Sequence, residues 1–231
     1  MSSDIKKIMS PTKFEVGNEK IAKIFKKNKK ILTILLAIAI ASSIGYTAYK
    51  IDKKSKQTHF SEMLHQSMID QQLGDIEKAK QSLKTIHEST TAPAGVKSLA
   101  SIRYAAILLE QGDKDLAIKV YQDINDCNFC DAYIRELSGL LMVRTIMTDD
   151  KFLNEQNLVD KFLKIENNSK ILRYYIAEQR GYLELNNKNL DKAFEIFEMI
   201  AKNPDVKENL KNRANDALKI VIQRGFVPKN S

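Results

Sequence analysis

The chain is organised around a repeated pattern, first met at residues 67–86, which read SMIDQQLGDIEKAKQSLKTI. A small residue comes first, a Gly-Asp pair follows about seven residues later, and an alanine comes five residues after the glycine. Two apolar residues then follow at +4 and +7 from the alanine. The residues in these positions are Ser67, Gly74, Asp75, Ala79, Leu83 and Ile86. Apolar residues at these spacings share one helix face, and a Gly-Asp pair is typical of a turn, so the stretch predicts two closely packed helices.

The same pattern returns at residues 105–124, AAILLEQGDKDLAIKVYQDI, and at residues 181–200, GYLELNNKNLDKAFEIFEMI. Ala117 and Ala193 hold the alanine position in these copies. A degenerate copy is expected between them, over about residues 133–165. Its apolar residues are Leu137, Leu140, Leu141, Val143 and Ile146 on the first helix and Leu158, Phe162 and Ile165 on the second. The sequence therefore predicts an all-α fold built from helical hairpins.

These two-helix units resemble tetratricopeptide repeats. The spacing differs from the 34 residues of that family, because Ala79 and Ala117 are 38 residues apart and Ala117 and Ala193 are 76 apart. Residues 58–226 are therefore expected to form a tetratricopeptide-like solenoid, followed by a short tail at 227–231. A capping helix over about residues 204–226 would close it. Its apolar face would carry Leu210, Ala214, Leu218 and Val221.

An uncharged stretch precedes the repeats at residues 31–49, ILTILLAIAIASSIGYTAY. A helix of that length is about 28 Å long at ~1.5 Å per residue, which matches a hydrocarbon core of about 30 Å. Lysines flank it on both sides, and Tyr46 and Tyr49 lie near its second end, where aromatic side chains favour the membrane interface. Residues 31–49 are predicted to span a membrane, and residues 50–57 to be a juxtamembrane linker.

The net charge of +8 lies beside this apolar stretch. Residues 1–30 carry nine lysines and three acidic residues, residues 50–56 carry a net +3, and the remaining chain is nearly neutral. A nucleic-acid-binding protein would carry its basic patch on the folded domain, so this function class is excluded. The positive-inside rule places residues 1–30 in the cytoplasm, which in a bacterium puts residues 50–231 in the periplasm.

Two short elements add to this order of segments. Residues 133–137, Tyr-Ile-Arg-Glu-Leu, resemble a Leu-Arg-Asp-Leu-Ala element of the YfgM-type family, the ancillary subunit of the bacterial Sec translocon, and residues 212–214, Asn-Arg-Ala, resemble that family's Arg-Ala ending. The resemblance implies an inner-membrane protein whose periplasmic domain associates with translocon subunits, periplasmic chaperones or emerging client proteins. It implies no enzymatic activity and no cofactor, and it carries over no functional residue, since these are packing elements.

One chemical motif stands out, the Cys-x-x-Cys sequence of Cys127 and Cys130. It is compatible with a structural disulfide in an oxidising compartment, with two thiols that have no role, with part of a metal site, or with a redox pair. Only three histidines, scattered upstream, are available as further metal ligands. A thioredoxin-like βαβ context is not suggested by the surrounding sequence.

Partner proteins are expected in a groove lined by the first helix of each repeat. The candidate residues are Arg103, Tyr104, Arg144, Arg173, Tyr174 and Arg180. Tyrosine and arginine are typical interface anchors. Two other functions stay open, a scaffold for envelope assembly or cell division in the inner membrane, and a thiol-redox protein that uses Cys127 and Cys130.

Overall fold

The computed structural model describes residues 29–153 and 157–227, which form α-helices and connecting turns and contain no β-strand. Most of the basic segment 1–30 and of the tail 227–231 lies outside the described residues. The helices are α1 Lys29–Gln72, α2 Ile76–Glu88, α3 Ala94–Glu110, α4 Lys114–Asn125, α5 Ala132–Ile146, α6 Asp150–Leu153, α7 Leu158–Asn168, α8 Arg173–Asn186, α9 Leu190–Lys202 and α10 Glu208–Gln223. The all-α prediction is confirmed.

The chain divides into two compact units, Met1–Ser55 and Lys56–Ser231. In the first unit, α1 contains a window of 18 residues with a mean hydropathy of 2.0, and none of this window is buried. By length and composition α1 is able to cross a membrane. Residues 50–57, assigned to a linker from the sequence, are helical within α1.

The second unit is a series of packed helical hairpins. Neighbouring helices contact each other in the pairs α2–α3, α3–α4, α4–α5, α7–α8, α8–α9 and α9–α10, and α5 also contacts α7 and α8. The core runs from Phe60 on the last part of α1 through to α8, and a second apolar cluster joins α8, α9 and α10. The contacting helices of this unit therefore bury their apolar faces against one another.

The repeat pattern predicted where the chain packs and turns. The small residues Ser67, Ala105 and Gly181 lie within α1, α3 and α8 and are buried. The apolar positions are also buried, namely Ala79, Leu83, Ile86, Ala117, Tyr121, Ile124, Ala193, Phe197 and Ile200. Gly74 and Gly112 have φ angles of +87° and +82° at the reversals. Glycine adopts this left-handed conformation without a steric penalty, which explains its place in the pattern.

The degenerate copy forms a hairpin of α5 and α7, and it departs from the pattern by an insertion. Its small residue is Gly139, which sequence analysis missed. A Cβ atom at Gly139 would lie 2.7 Å from Cγ2 of Ile165 and 2.8 Å from Nδ2 of Asn125. Nineteen residues separate Gly139 from Leu158, against twelve between Ser67 and Ala79. The seven additional residues accommodate the short helix α6.

Most apolar residues expected in this copy are buried. These are Leu140, Val143, Ile146, Leu158, Phe162 and Ile165, whereas Leu137 and Leu141 are half-buried. The helix α10 likewise lies within the range expected for the last helix. Its residues Leu210, Ala214 and Val221 are buried and Leu218 is half-buried, so the predicted apolar face packs inward.

Polar side chains connect the hairpins of this region. The carboxylate of Glu136 accepts hydrogen bonds from the backbone N–H groups of Lys170, Ile171 and Leu172 at 2.9, 2.7 and 2.8 Å. Glu136, which lies on α5, thereby holds the connection between α7 and α8 in place. It belongs to the element at residues 133–137, so that element has a packing role.

The Asn-Arg-Ala element at residues 212–214 also connects helices. Arg213 on α10 donates from Nε and Nη2 to the two carboxylate oxygens of Glu178 on α8, at 2.7 and 2.9 Å. Such paired hydrogen bonds between a guanidinium and a carboxylate fix both distance and orientation. Arg213 therefore holds α10 on α8.

Candidate binding cleft beside the disulfide

A cleft of about 500 Å³ opens where the end of α2, the start of α3 and the connection between α4 and α5 meet. Its lining is mainly apolar and includes Ala92, Ala94, Ile124 and both cysteines. Concave, mostly apolar sites with few polar groups are typical ligand-binding sites. The cleft is therefore the candidate functional site of the helical-hairpin unit.

Cys127 and Cys130 are joined by a disulfide that forms one side of this cleft. Their Cα atoms are 5.4 Å apart, and the backbone N–H of Cys130 donates to the carbonyl of Cys127 at 3.3 Å. While the bond is formed, neither sulfur is a thiolate ligand for a metal. Within residues 29–153 and 157–227 no group of three His, Cys, Asp or Glu residues is arranged to hold a metal ion.

Phe129 lies at the tip of the disulfide-closed turn and also lines the cleft. Its side chain is 92% exposed, although large aromatic side chains usually bury their surface. Sequence analysis missed this residue, because an isolated phenylalanine in a connection shows no periodicity. The only sequence signal was its place between two cysteines.

Two polar groups of the cleft wall, on Ser98 and Lys97, are hydrogen-bonded within the protein. Ser98 Oγ lies 2.7 Å from the carbonyl oxygen of Ala94 and 3.1 Å from Sγ of Cys130. The Lys97 ammonium donates to the carbonyl of Ser89 at 2.8 Å. Because these groups already have partners, an apolar ligand in the cleft would not deprive them of hydrogen bonds.

Ser101, His87 and Asp123 form a chain that superficially resembles a nucleophilic triad. His87 Nδ1 lies 2.8 Å from Ser101 Oγ, and His87 Nε2 lies 3.9 Å from Asp123. However, Ser101 is only 1% exposed and its hydroxyl donates to the carbonyl of Lys97 at 2.7 Å. Its oxygen therefore accepts from His87 instead of giving up its proton to it, as a nucleophile would. This chain is a packing network.

Burial determines the charge of His87 in this network. Desolvation lowers the pKa of His87, and the positive charge of Lys97 adds to this effect, while Asp123 and Glu88 oppose it. The imidazole is therefore neutral at pH 7. The charged groups that line the cleft at this pH are Glu88, Lys97 and Asp123.

The residues expected to line a groove lie in different environments. Tyr104 is 3% exposed and packs in the core beside His87, with the ring centroids 5.8 Å apart. Tyr104 therefore presents little surface to a partner, and its place in a binding groove stays a prediction. Its position on α3 falls on the same face as Ala100 and Leu108, which are also buried.

The three groove candidates on α8 have contacts within the protein. Arg180 Nε donates to Glu166 at 2.7 Å, and Arg173 Nε lies 4.0 Å from the same carboxylate. The hydroxyl of Tyr174 accepts from Nδ2 of Asn203 at 2.7 Å. Glu166 thus brings Arg173 and Arg180 together. Arg103 on α3 is half-buried and Arg144 on α5 is exposed.

The chain matches no protein-family model, no curated protein and no solved structure. The functional inference therefore starts from the exposed apolar helix and from the cleft beside the disulfide.

Proposed function

We propose that this protein is anchored in a membrane by residues 31–49 and that its helical-hairpin unit binds other proteins. The observation that carries the proposal is the 18-residue apolar window of α1, of which no part is buried. Contiguous apolar surface of this size is unfavourable in water and marks a membrane or protein contact. A lipid bilayer covers a helix of this length along its full circumference.

The charge distribution supports an inner-membrane protein with a cytoplasmic N-terminus. Nine lysines lie within residues 1–30, against four within residues 50–56. The positive-inside rule then assigns the helical-hairpin unit to the periplasm. A disulfide between Cys127 and Cys130 agrees with this oxidising compartment.

Protein binding is supported by the form of the second unit. In its hairpins a small residue on the first helix lets the second helix pack closely. This favours a tetratricopeptide-like solenoid in which α10 acts as the cap. Solenoids of this kind present extended surfaces to other proteins. Confinement to a membrane also raises the effective concentration of the unit near membrane machinery, so that weak contacts suffice.

The resemblance to the YfgM-type family indicates which partners to expect. They are translocon subunits, periplasmic chaperones or emerging client proteins. A scaffold for envelope assembly or cell division has the same architecture and differs in its partners only. A thiol-redox function is less favoured, because the described residues around the two cysteines form helices and not the βαβ unit of a thioredoxin-like site.

Crosslinking in intact cells tests the proposal. The tagged full-length protein is crosslinked, extracted in detergent and purified, and its partners are identified by mass spectrometry. We expect translocon subunits together with periplasmic chaperones. Capture of division or envelope-assembly proteins instead would favour the scaffold, and capture of cytoplasmic proteins on the helical-hairpin unit would overturn the topology.

A matched pair of variants tests the anchor. Leu35→Lys combined with Ile38→Lys interrupts the apolar segment, whereas Leu35→Ile combined with Ile38→Leu preserves it. We expect the first variant to be released from membranes at alkaline pH and the second to remain. Retention of the lysine variant would contradict an anchor at residues 31–49.

A further inference from the structure

We propose that the cleft beside the disulfide binds an extended polypeptide segment. An apolar side chain of this segment would lie against Phe129, and a nearby basic side chain would lie against the carboxylate of Asp123. This inference rests on the proposed protein-binding function and assigns it a site and a class of ligand. It is separate from the groove residues expected from the sequence, none of which lines this cleft.

The size and chemistry of the cleft determine the apolar part of the ligand. A volume of about 500 Å³ accommodates one or two large side chains. The apolar part of its wall comes from alanine, isoleucine, phenylalanine and disulfide surface, and the hydroxyl of Ser98 and the ammonium of Lys97 are hydrogen-bonded within the protein. An apolar side chain against this part of the wall thus leaves the hydrogen bonds of Ser98 and Lys97 in place.

Phe129 completes the binding surface. It is 92% exposed, and the disulfide closes the two-residue turn on which it is displayed. Aromatic side chains are frequent anchors in protein interfaces. A side chain whose backbone is already constrained loses less conformational entropy on binding, so the disulfide pre-organises the site.

Charge determines the second residue of the ligand. The carboxylates of Glu88 and Asp123 line the cleft and exceed the single ammonium of Lys97. Glu88 lies 3.7 Å from Lys84, an internal counter-charge. Asp123 lies 3.9 Å from His87, which supplies no counter-charge because burial lowers its pKa and leaves it neutral at pH 7. The negative charge of Asp123 therefore favours a lysine or arginine beside the apolar side chain.

An extended ligand fits this cleft better than a helical one. A helix that docks in a groove presents apolar anchors at i, i+3, i+4 and i+7 and needs a long contact surface. The cleft is lined by the disulfide turn, residues 87–90 and short parts of α3 and α4, so it does not offer the long contact surface that such a helix needs. In an extended segment the side chains of residues i and i+2 share a face, so one can lie against Phe129 and the other towards Asp123.

The test uses the full-length protein in lipid nanodiscs, because detergent would compete for an apolar cleft. Fluorescein-labelled hexapeptides that carry Phe and Lys, Phe and Glu, or Ser and Lys two positions apart in an otherwise Gly-Ser background (the Phe-Lys, Phe-Glu and Ser-Lys peptides) are titrated by fluorescence polarisation. We expect the Phe-Lys peptide to bind at least tenfold more tightly than the other two. Equal affinities for the three peptides would overturn the proposal.

Variants locate the binding to the cleft. Phe129→Ser is expected to weaken Phe-Lys binding at least tenfold, and Asp123→Asn to reduce the preference for Phe-Lys over Phe-Glu several-fold. Val227→Ser is the matched control, because Val227 is 80% exposed and does not line the cleft. All three side chains are exposed, so circular dichroism should show unchanged folding. Equal losses in Phe129→Ser and Val227→Ser would overturn the site.

In intact cells, the binding site can be tested separately from the proposed function by incorporating a photo-crosslinking amino acid in place of Phe129. Capture through position 129 of polypeptide segments that carry an apolar residue near a lysine or arginine supports the site, and capture of segments without this pair overturns it. Capture of a second copy of this chain, of lipid alone, or of nothing overturns it. If the purified protein still retains partners through other surfaces, the proposed function stands without this site.

Discussion

The N-terminal hairpins, residues 56–125, and the C-terminal hairpins, residues 132–223, bury different kinds of side chain. In the former the buried residues are apolar or carry hydroxyl groups, and Asp70 is the one buried acid. In the latter four glutamates are buried, namely Glu136, Glu166, Glu178 and Glu184. In the N-terminal hairpins, regular repeats align the apolar faces of the helices. The C-terminal hairpins contain the seven-residue insertion, and their helices are also held together by buried carboxylates with polar partners.

This difference has an energetic consequence. A buried carboxylate is costly unless charged or hydrogen-bonding partners compensate it. The partners of Glu136, Glu166 and Glu178 lie on other helices or in the connection between α7 and α8. The C-terminal hairpins therefore depend on specific pairs, and removal of one partner should destabilise them more than a comparable change in the N-terminal hairpins.

The largest effect is expected for Arg213→Met, which tests that dependence directly. The substitution leaves Glu178, which is 3% exposed, without its guanidinium. The Arg213 side chain is 44% exposed, so the loss should fall below the value of about 3–5 kcal/mol for a fully buried pair, at about 2–3 kcal/mol in the free energy of unfolding. Urea unfolding of the full-length protein in detergent measures the loss, and hydrogen exchange should place it in α8–α10.

The double variant Glu178→Gln with Arg213→Met is the control, because it removes the buried charge together with its partner. It should recover most of the lost stability. If Arg213→Met costs less than about 1 kcal/mol, the value typical of an exposed pair, the contrast between the two sets of hairpins fails.

Gly181→Ala tests the close approach of α8 and α9. An alanine Cβ would lie 2.8 Å from two ring atoms of Phe197, a fully buried side chain. Overpacking of this kind costs about 1–3 kcal/mol. The measurement is again the urea midpoint.

Gly95→Ala is the matched control for this substitution. Gly95 lies in α3 of the N-terminal hairpins, and a Cβ atom there meets nothing within 4 Å. It should be neutral or stabilise by about 0.4–1 kcal/mol, since alanine reduces the entropy of the unfolded chain. Equal losses in both variants would contradict the assignment of the loss to contact with Phe197, since alanine favours a helix more than glycine does.

Reduction of the disulfide tests the junction between the two sets of hairpins. The disulfide of Cys127 and Cys130 closes a loop of only four residues, so its chain-entropy contribution is about 2 kcal/mol at most. We expect a small fall in the unfolding midpoint with dithiothreitol. The variant Cys127→Ser with Cys130→Ser should be insensitive to the reductant, and a loss of all cooperative unfolding would contradict the estimate.

The smallest effect is a pH dependence in the N-terminal hairpins. Burial lowers the pKa of His87 below its ordinary value of 6.5. As the pH falls below 6.5, the unfolded chain binds a proton before the folded one does. The stability contribution of neutral His87 is therefore complete above pH 6.5 and decreases below it, by at most about 1.4 kcal/mol per pH unit.

Unfolding free energies at pH 7.5 and 5.5 measure this effect, and His87→Gln should reduce the difference between them. Hydrogen bonds lower the pKa values of Asp70 and Asp149, so their contributions are lost only as the pH falls below 3.8. The chosen range thus separates His87 from these carboxylates. An unchanged pH dependence in His87→Gln would contradict the assignment.

Sequence analysis located the hairpins well, because helix faces and turns depend on local spacing. The distances along the chain from Ser67 to Gly74 and Ala79 are sufficient to identify the first turn and its buried face. Tyr104 shows the limit of this reasoning. A tyrosine on the first helix of a hairpin suits an interface by residue type, but packing against α2 and α4 decides its burial.

The sequence by itself determined the all-α class, the positions of the regular hairpins and the apolar helix long enough to cross a membrane. These follow from periodicities within some twenty consecutive residues. Only the tertiary structure identified Gly139 as a packing residue, paired Glu178 with Arg213 and placed Phe129 beside an apolar cleft. Each depends on residues from separate helices or connections, whose meeting is decided by packing and not by local spacing.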